Sequence, residues 1–219
     1  MFGDLLLPFR VVDALAGLSR LQRLRVPRLP RLSQLTQTVS HTFPALRTLQ
    51  LSSMRRPDPD ALSVCGKTLE SLSLYLTTEA RLRQSFFRGL MCLKKLRLRG
   101  GTLEGTRPRG RPIFEGVEVV HLSSLEKLAW LKDSFGESLK SIVLHAVPSK
   151  TVADFLMAAP KGLQDLRIFL VNEEMLRESI VDAVLRQHES LQRIFLDGMF
   201  SCPLVLTVQH SYLHVTVKQ

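Results

Sequence analysis

Cysteine is scarce in this chain, and the three that occur, Cys65, Cys92 and Cys202, form an odd and widely spaced set. Such a set provides neither a disulfide framework nor the paired spacing of a zinc site. We therefore expect a protein of a reducing compartment, the cytoplasm or the nucleus, without structural disulfides or bound metal.

Long apolar runs are also missing, so the sequence predicts no transmembrane helix and no membrane partner. The run LLLPF near the N-terminus lies between Asp4 and Arg10. It is too brief and wrongly flanked for a signal peptide.

The sequence motifs of catalysis are absent as well. No G-x-S-x-G, H-E-x-x-H or Cys-x-x-Cys occurs, and in GGTLEGTR Thr106 stands where a phosphate loop needs its lysine. His210 and His214 have the spacing of a helical zinc pair, but the surrounding alternation predicts a strand, on which they would lie about 13 Å apart. The sequence therefore predicts a protein that is not an enzyme and holds no cofactor.

Acidic residues are missing from the whole stretch between Asp13 and Asp58. Eight arginines lie there: Arg20, Arg23, Arg25, Arg28, Arg31, Arg47, Arg55 and Arg56. Residues 1–111 hold 20 Lys/Arg against 7 Asp/Glu, whereas residues 112–219 hold 10 against 13. An asymmetry of this kind attracts acidic partners, although a solvated surface has the same composition.

One apolar spacing, L-x-x-L-x-L, is repeated along the chain. We call it the repeat phrase and count its positions from the first apolar residue as 0. The eight phrases begin at Leu21, Leu46, Leu69, Leu93, Val117, Leu139, Leu163 and Leu191. A repeat at a nearly constant interval of 22 to 28 residues predicts stacked structural units.

The phrase itself predicts a strand, because positions 3 and 5 are two residues apart and point to one side of an extended chain. A unit alone would leave that side uncovered, so neighbouring units must stack into a continuous core. The eight phrases, over residues 18–200, resemble the leucine-rich repeat family. The resemblance implies a single α/β domain over 1–219, a curved solenoid with parallel inner strands and mostly helical outer segments.

The chain departs from that family at position 8, where Asn or Cys is usual. Asn172 is the only asparagine in the sequence, so backbone groups at the turns must pair in another way. Segments such as HTFPALRTLQL and GLMCLKKLRLR are similar to the irregular repeats of F-box and ribonuclease-inhibitor-like members. This resemblance implies a non-enzymatic protein-interaction module, in one version the substrate-recognition part of an F-box-type ubiquitin ligase. No F-box precedes the first phrase, and either its absence or a truncated chain would explain that.

Between the phrases, helical spacing and capping residues predict outer helices. They are expected over residues 5–18 and after Thr78, Ser123, Thr151 and Asn172. The tail instead alternates with period two at Leu204, Leu206 and Val208 and again from Leu213 to Val217, which predicts one or two strands that cap the end over 201–219.

The resemblance also implies that positions 2, 4 and 6 of each phrase line a concave binding surface. The candidate partner-binding residues are Arg23, Arg25, Tyr75, Lys95, Arg97, Arg99, Arg167, Phe169 and Phe195. The basic residues lie among hydroxyl-bearing side chains, which suits an acidic or phosphorylated peptide. A face that only keeps the protein soluble is the alternative, and the sequence does not fix an oligomeric state.

A second function remains open in the segment RPRGRP. Arg107, Arg109, Gly110 and Arg111 resemble the core of an AT-hook, an extended peptide that binds the minor groove of A·T-rich DNA. The flanking residues Ile113, Phe114 and Glu115 do not match that motif. A DNA-associated protein that uses this loop and the basic N-terminal half is therefore the alternative to a protein-binding module.

Overall fold

The computed structural model describes most of the chain in two compact units, Met1–Gly105 and Thr106–Gln219. The described residues are 19–26, 44–54, 62, 67–87, 89–105, 112–125, 128–169, 180, 183, 184, 186, 187, 189–197, 204–209 and 212–217. The structure is mixed α/β with mostly parallel strands, which confirms that part of the expected fold.

The N-terminal unit, Met1–Gly105, contains six strands. They are β1 (Arg23–Val26), β2 (Thr48–Met54), β3 (Ser71–Leu76), β4 (Arg81–Arg83), β5 (Lys95–Arg99) and β6 (Thr102–Glu104). Strands β1, β2, β3 and β5 pair side by side in parallel, while β4 and β6 form a separate two-stranded parallel sheet. Four of the six strands thus coincide with repeat phrases.

The register of these strands aligns the phrases position by position. Leu24 pairs with Leu49, Leu49 with Leu72, and Leu72 with Leu96. From the second phrase onward, the side chains at positions 0, 3 and 5 are buried. Removing these aligned leucines from water is the main favourable term in the stability of the unit.

The C-terminal unit, Thr106–Gln219, repeats the arrangement. Its strands are β7 (Val119–Ser123), β8 (Ser141–His145), β9 (Asp165–Phe169), β10 (Arg193–Asp197), β11 (Leu204–Gln209) and β12 (Tyr212–Val217). Strands β7 to β10 are parallel, with Val120, Ile142, Leu166 and Ile194 in register. Strand β11 runs antiparallel to β10 and β12 antiparallel to β11, which confirms the strands predicted for the tail.

Helices are few in the described residues, so the prediction of mostly helical outer segments is wrong there. Only one α-helix has described bounds, α1 (Ser149–Ala158), where Thr151 and Asp154 predicted it. The segment after β7 forms a short 3₁₀ helix, Ala129–Asp133. None of the described helices has the length and apolar character needed to cross a membrane.

The segment after β3 shows why helical spacing misled the prediction. Leu82, Phe86 and Leu90 step by four residues and are all buried, but Leu82 belongs to β4 and Phe86 to a 3₁₀ turn, Gln84–Phe87. Leu82 pairs with Leu103 of β6 in the next repeat. A strand followed by a tight turn buries the same residues as an α-helix would.

Two predicted helices concern residues that are not all described. The N-terminal helix at 5–18 lies outside the described residues, as does Asn172, the expected start of another helix. Of that second helix, Ile180, Ala183 and Val184 are described and helical.

The turns after the strands are closed without asparagine. Position 7 has a left-handed backbone in four phrases, at Ser53, Gly100, Ser124 and Ala146. The N–H of Ser124 donates to the carbonyl of His145 at 2.9 Å, and that of Ala146 donates to Phe169 at 2.8 Å. Strand-end carbonyls of the following repeat therefore satisfy these N–H groups, as the absence of an asparagine ladder required.

The strand starts share another backbone contact. The carbonyl at position 1 of one phrase accepts two N–H groups of the next, as Glu70 does from Lys94 at 2.8 Å and Lys95 at 3.0 Å. The same pair of bonds reaches the carbonyls of Gln22, Arg47, Glu118, Lys140 and Gln164. Within each unit, consecutive repeats are thus joined by identical backbone atoms.

Candidate binding faces

Positions 2, 4 and 6 of the N-terminal phrases lie on the side of the sheet opposite the buried leucines, because successive strand residues point to opposite faces. We call this surface the basic face. Its five cationic side chains are exposed and lie on the outer strands of the four: Arg23 and Arg25 on β1, and Lys95, Arg97 and Arg99 on β5. The structure therefore places these predicted partner-binding residues on one surface.

The two middle strands carry uncharged polar side chains between the cations. Gln50 of β2 and Ser73 of β3 lie in the same register row as Arg25 and Arg97. Tyr75 lies in register with Arg99, one row further along. All the middle side chains are half-buried: Thr48, Gln50, Ser52, Ser71, Ser73 and Tyr75.

Each row of the basic face is three strand spacings wide, about 15 Å from β1 to β5. Two rows have a cation at each end: Arg23 with Lys95, and Arg25 with Arg97. Hydroxyl or amide groups fill the distance between them. An extended ligand crossing the strands would meet positive charge at both ends and hydrogen-bonding groups in the middle.

Acidic groups of this unit that are described pair with other cations. Glu70 accepts from Arg47 at 2.9 Å, and Glu104 lies 2.7 Å from Arg81 and 3.5 Å from Arg83. No ion pair or hydrogen bond joins the five cationic side chains of the basic face to any other described residue. Their positive charge is therefore available to a ligand.

The C-terminal unit presents a different surface at the equivalent positions. Phe169 and Phe195 are half-buried with ring centroids 5.2 Å apart, and the exposed His145 lies 5.7 Å from Phe169. The Nδ1 atom of His145 is 3.3 Å from the hydroxyl of Ser123. We call His145, Phe169 and Phe195 the aromatic cluster, and it contains both aromatic residues predicted to bind a partner in this half of the chain.

Arg167, the remaining predicted partner-binding residue, is held by a carboxylate. Its Nη2 lies 3.3 Å from Oδ2 of Asp165, while Nε of Arg193 lies 3.6 Å from Oδ1 of the same residue. The Ser141 hydroxyl donates to Oδ2 at 3.3 Å. We call these four residues the Asp165 cluster. Sequence reasoning missed it, although Asp165 and Arg193 share position 2 of consecutive phrases, which would have aligned them.

Other sequence features lead to no site among the described residues. Arg107, Arg109, Gly110 and Arg111, the AT-hook-like segment, lie outside them. Part of GGTLEGTR forms strand β6, Thr102–Glu104, rather than a loop that could surround a phosphate. The described part of the chain also contains no group of three His, Cys, Asp or Glu residues placed to hold a metal ion.

Comparison with known proteins does not add a relative to this description. No protein-family model matches the chain, and no curated protein or solved structure matches it either.

Proposed function

We propose that this chain is a leucine-rich-repeat solenoid that binds a protein partner through the basic face, recognising an acidic or phosphorylated segment of it. The repeated phrases, their in-register pairing and the identical backbone contacts between repeats support the solenoid. The binding role is a proposal from surface chemistry, and it involves no catalysis.

The observation that carries the proposal is the unpaired charge of the basic face. Arg23, Arg25, Lys95, Arg97 and Arg99 are exposed on two outer strands, and no described acidic group neutralises them. Arginine binds carboxylate and phosphate through two parallel N–H donors, and such charge-assisted bonds are stronger than neutral ones. The hydroxyl groups between the cations supply further donors for the same ligand oxygens.

The resemblance to F-box-type repeats names one setting for such binding, the recruitment of a substrate to a ubiquitin ligase. That setting stays a prediction from the repeat pattern. The basic face would act in the same way in any assembly that presents an acidic segment to it.

The test compares defined peptides on the full chain by fluorescence polarisation. A labelled octapeptide with four glutamates, a second with phosphoserines and a third with glutamines would be titrated at low and raised salt. We expect binding of the two acidic peptides only, weakened by salt because exposed charges are screened. Arg97→Glu should weaken it by about tenfold or more.

Lys67→Glu is the matched control. Lys67 is exposed on the turn before β3, so its reversal changes the net charge equally without altering the basic face. Equal effects of the two reversals would show that net charge, rather than this surface, attracts the peptide. Tighter binding of an A·T-rich duplex than of either acidic peptide, lost in Arg109→Ala plus Arg111→Ala, would favour the DNA-associated alternative.

A further inference from the structure

We infer that the face of β8 to β10 is a second and separate binding site, which takes a carboxylate and an aromatic side chain of one peptide. The site consists of the Asp165 cluster at one end of the strands and the aromatic cluster at the other. It is independent of the basic face and of the function proposed for it.

The Asp165 cluster holds more positive charge than its carboxylate needs. The side chain of Asp165 is 12% exposed, whereas those of Arg167 and Arg193 are 46% and 67% exposed. One guanidinium would compensate the single carboxylate, and a second leaves the cluster with a net positive charge. An incoming carboxylate is the ligand that complements this charge.

The two guanidinium groups also retain free donors. Each has five N–H groups in a fixed plane, and the described contacts of Arg167 and Arg193 are those with Asp165 alone. Because Asp165 restrains both side chains, a ligand would lose less side-chain freedom on binding them. The carboxylate of Asp165 thus positions the arginines for a second anion.

The aromatic cluster supplies the other half of the site. Phe169 and Phe195 contact each other at an interplanar angle of 46° and remain partly exposed, and His145 extends the same surface. Aromatic side chains favour tilted or edge contacts with a further ring. An aromatic residue of a peptide is therefore the partner that this cluster fits.

The strand register sets the distance between the two halves. Asp165 and Arg193 are at position 2, Phe195 is at position 4, and His145 and Phe169 are at position 6. Two to three residues along a strand correspond to about 7 to 10 Å. An extended peptide running along β9 would reach both clusters with an acidic and an aromatic residue two or three positions apart.

The experiment uses capped octapeptides of Gly and Ser that carry one Glu and one Phe at separations of one to six residues. Binding to the full chain is followed by ligand-observed NMR, through broadening of the Phe ring protons. We expect broadening for separations of two or three residues, and its loss when Gln replaces Glu. A parallel set ending in Phe, with a free or an amidated C-terminus, distinguishes a terminal carboxylate from a side-chain one.

Protein variants assign the binding to this site. Arg193→Gln and Phe169→Ala should each abolish the broadening, while Lys161→Gln, an exposed cation on the turn before β9, should preserve it. Arg97→Glu on the basic face should preserve it too, so failure here is distinct from failure of the proposed function. Should Phe169→Ala unfold the protein, Arg193→Gln still decides, because its side chain is largely exposed. Absent broadening, broadening at every separation, or broadening retained by Arg193→Gln would overturn the inference.

Discussion

At the scale of single residues, Gly100 and Gly162 separate two costs that often occur together. Both have a left-handed backbone, with φ of 73° and 110°. A Cβ atom on Gly100 would lie 2.6 Å from the carbonyl oxygen of Leu76, whereas one on Gly162 would have no atom within 4 Å. The first position is restricted by conformation and contact, the second by conformation alone.

We therefore expect Gly162→Ala to lower the free energy of unfolding by about 1 to 2 kcal/mol, the cost of a left-handed alanine. Gly100→Ala should lower it by about a further 1 to 3 kcal/mol, because the neighbouring atom is backbone and cannot move aside cheaply. Urea unfolding followed by circular dichroism measures both. Equal losses in the two variants would show that the β5–β6 turn relaxes around a methyl group.

A second prediction at this scale concerns the aligned leucines. Leu96 is 1% exposed and pairs with Leu72, so Leu96→Ala should cost about 2 to 5 kcal/mol. Leu82 belongs to a strand and is equally buried, so its truncation should fall in the same range instead of the smaller loss that an outer helix would imply. Met91→Ala is the control, since Met91 is 85% exposed and should change stability by less than about 0.5 kcal/mol. An unchanged unfolding midpoint for Leu96→Ala would contradict the proposed strand register.

At the scale of elements, α1 begins without the groups that usually stabilise a helix start. Its first turn contains no acidic residue, and no side chain caps it. Lys150 stands in that first turn, where the helix dipole disfavours a cation. Lys150→Glu should raise the free energy of unfolding by about 0.3 to 1 kcal/mol at low ionic strength.

The matched control for this prediction is Lys161→Glu, which makes the same charge change outside any helix. Thermal unfolding at low and high salt measures both variants. A gain that persists at high salt, or an equal gain in the control, would exclude the helix dipole as its cause.

The elements also show which parts of the fold were predictable from sequence. The strands follow from a local signal, the two-residue spacing of positions 3 and 5, and the structure places strands at all eight phrases. The outer segments depend on contacts between repeats instead. Leu82 lies in a strand because Leu103, 21 residues later, pairs with it, and no spacing around Leu82 reveals that partner.

The candidate binding faces divide in the same way. Strand alternation alone places Lys95, Arg97 and Arg99 on one surface, so the basic face was predictable. The contact between Asp165 and Arg193 was not, because the interval between their phrases is the longest in the chain at 28 residues. Only the structure shows that the additional residues lie outside the strands and leave position 2 in register.

At the scale of the whole molecule, charge and architecture vary independently. The repeats of both units use the same backbone contacts, while one half of the sequence is strongly basic and the other slightly acidic. Stability depends mainly on positions 0, 3 and 5, and surface chemistry on positions 2, 4 and 6. Substitutions at the second set can therefore change the ligand without changing the fold.

The carbonyl at position 1 that accepts two N–H groups has an evolutionary consequence. Within each unit it joins a repeat only to its neighbour, through atoms that every residue type other than proline supplies. A duplicated repeat inserted between two existing ones would find both its donors and its acceptor in place. The gene can therefore lengthen or shorten this protein one repeat at a time, and each new copy is free to acquire its own surface.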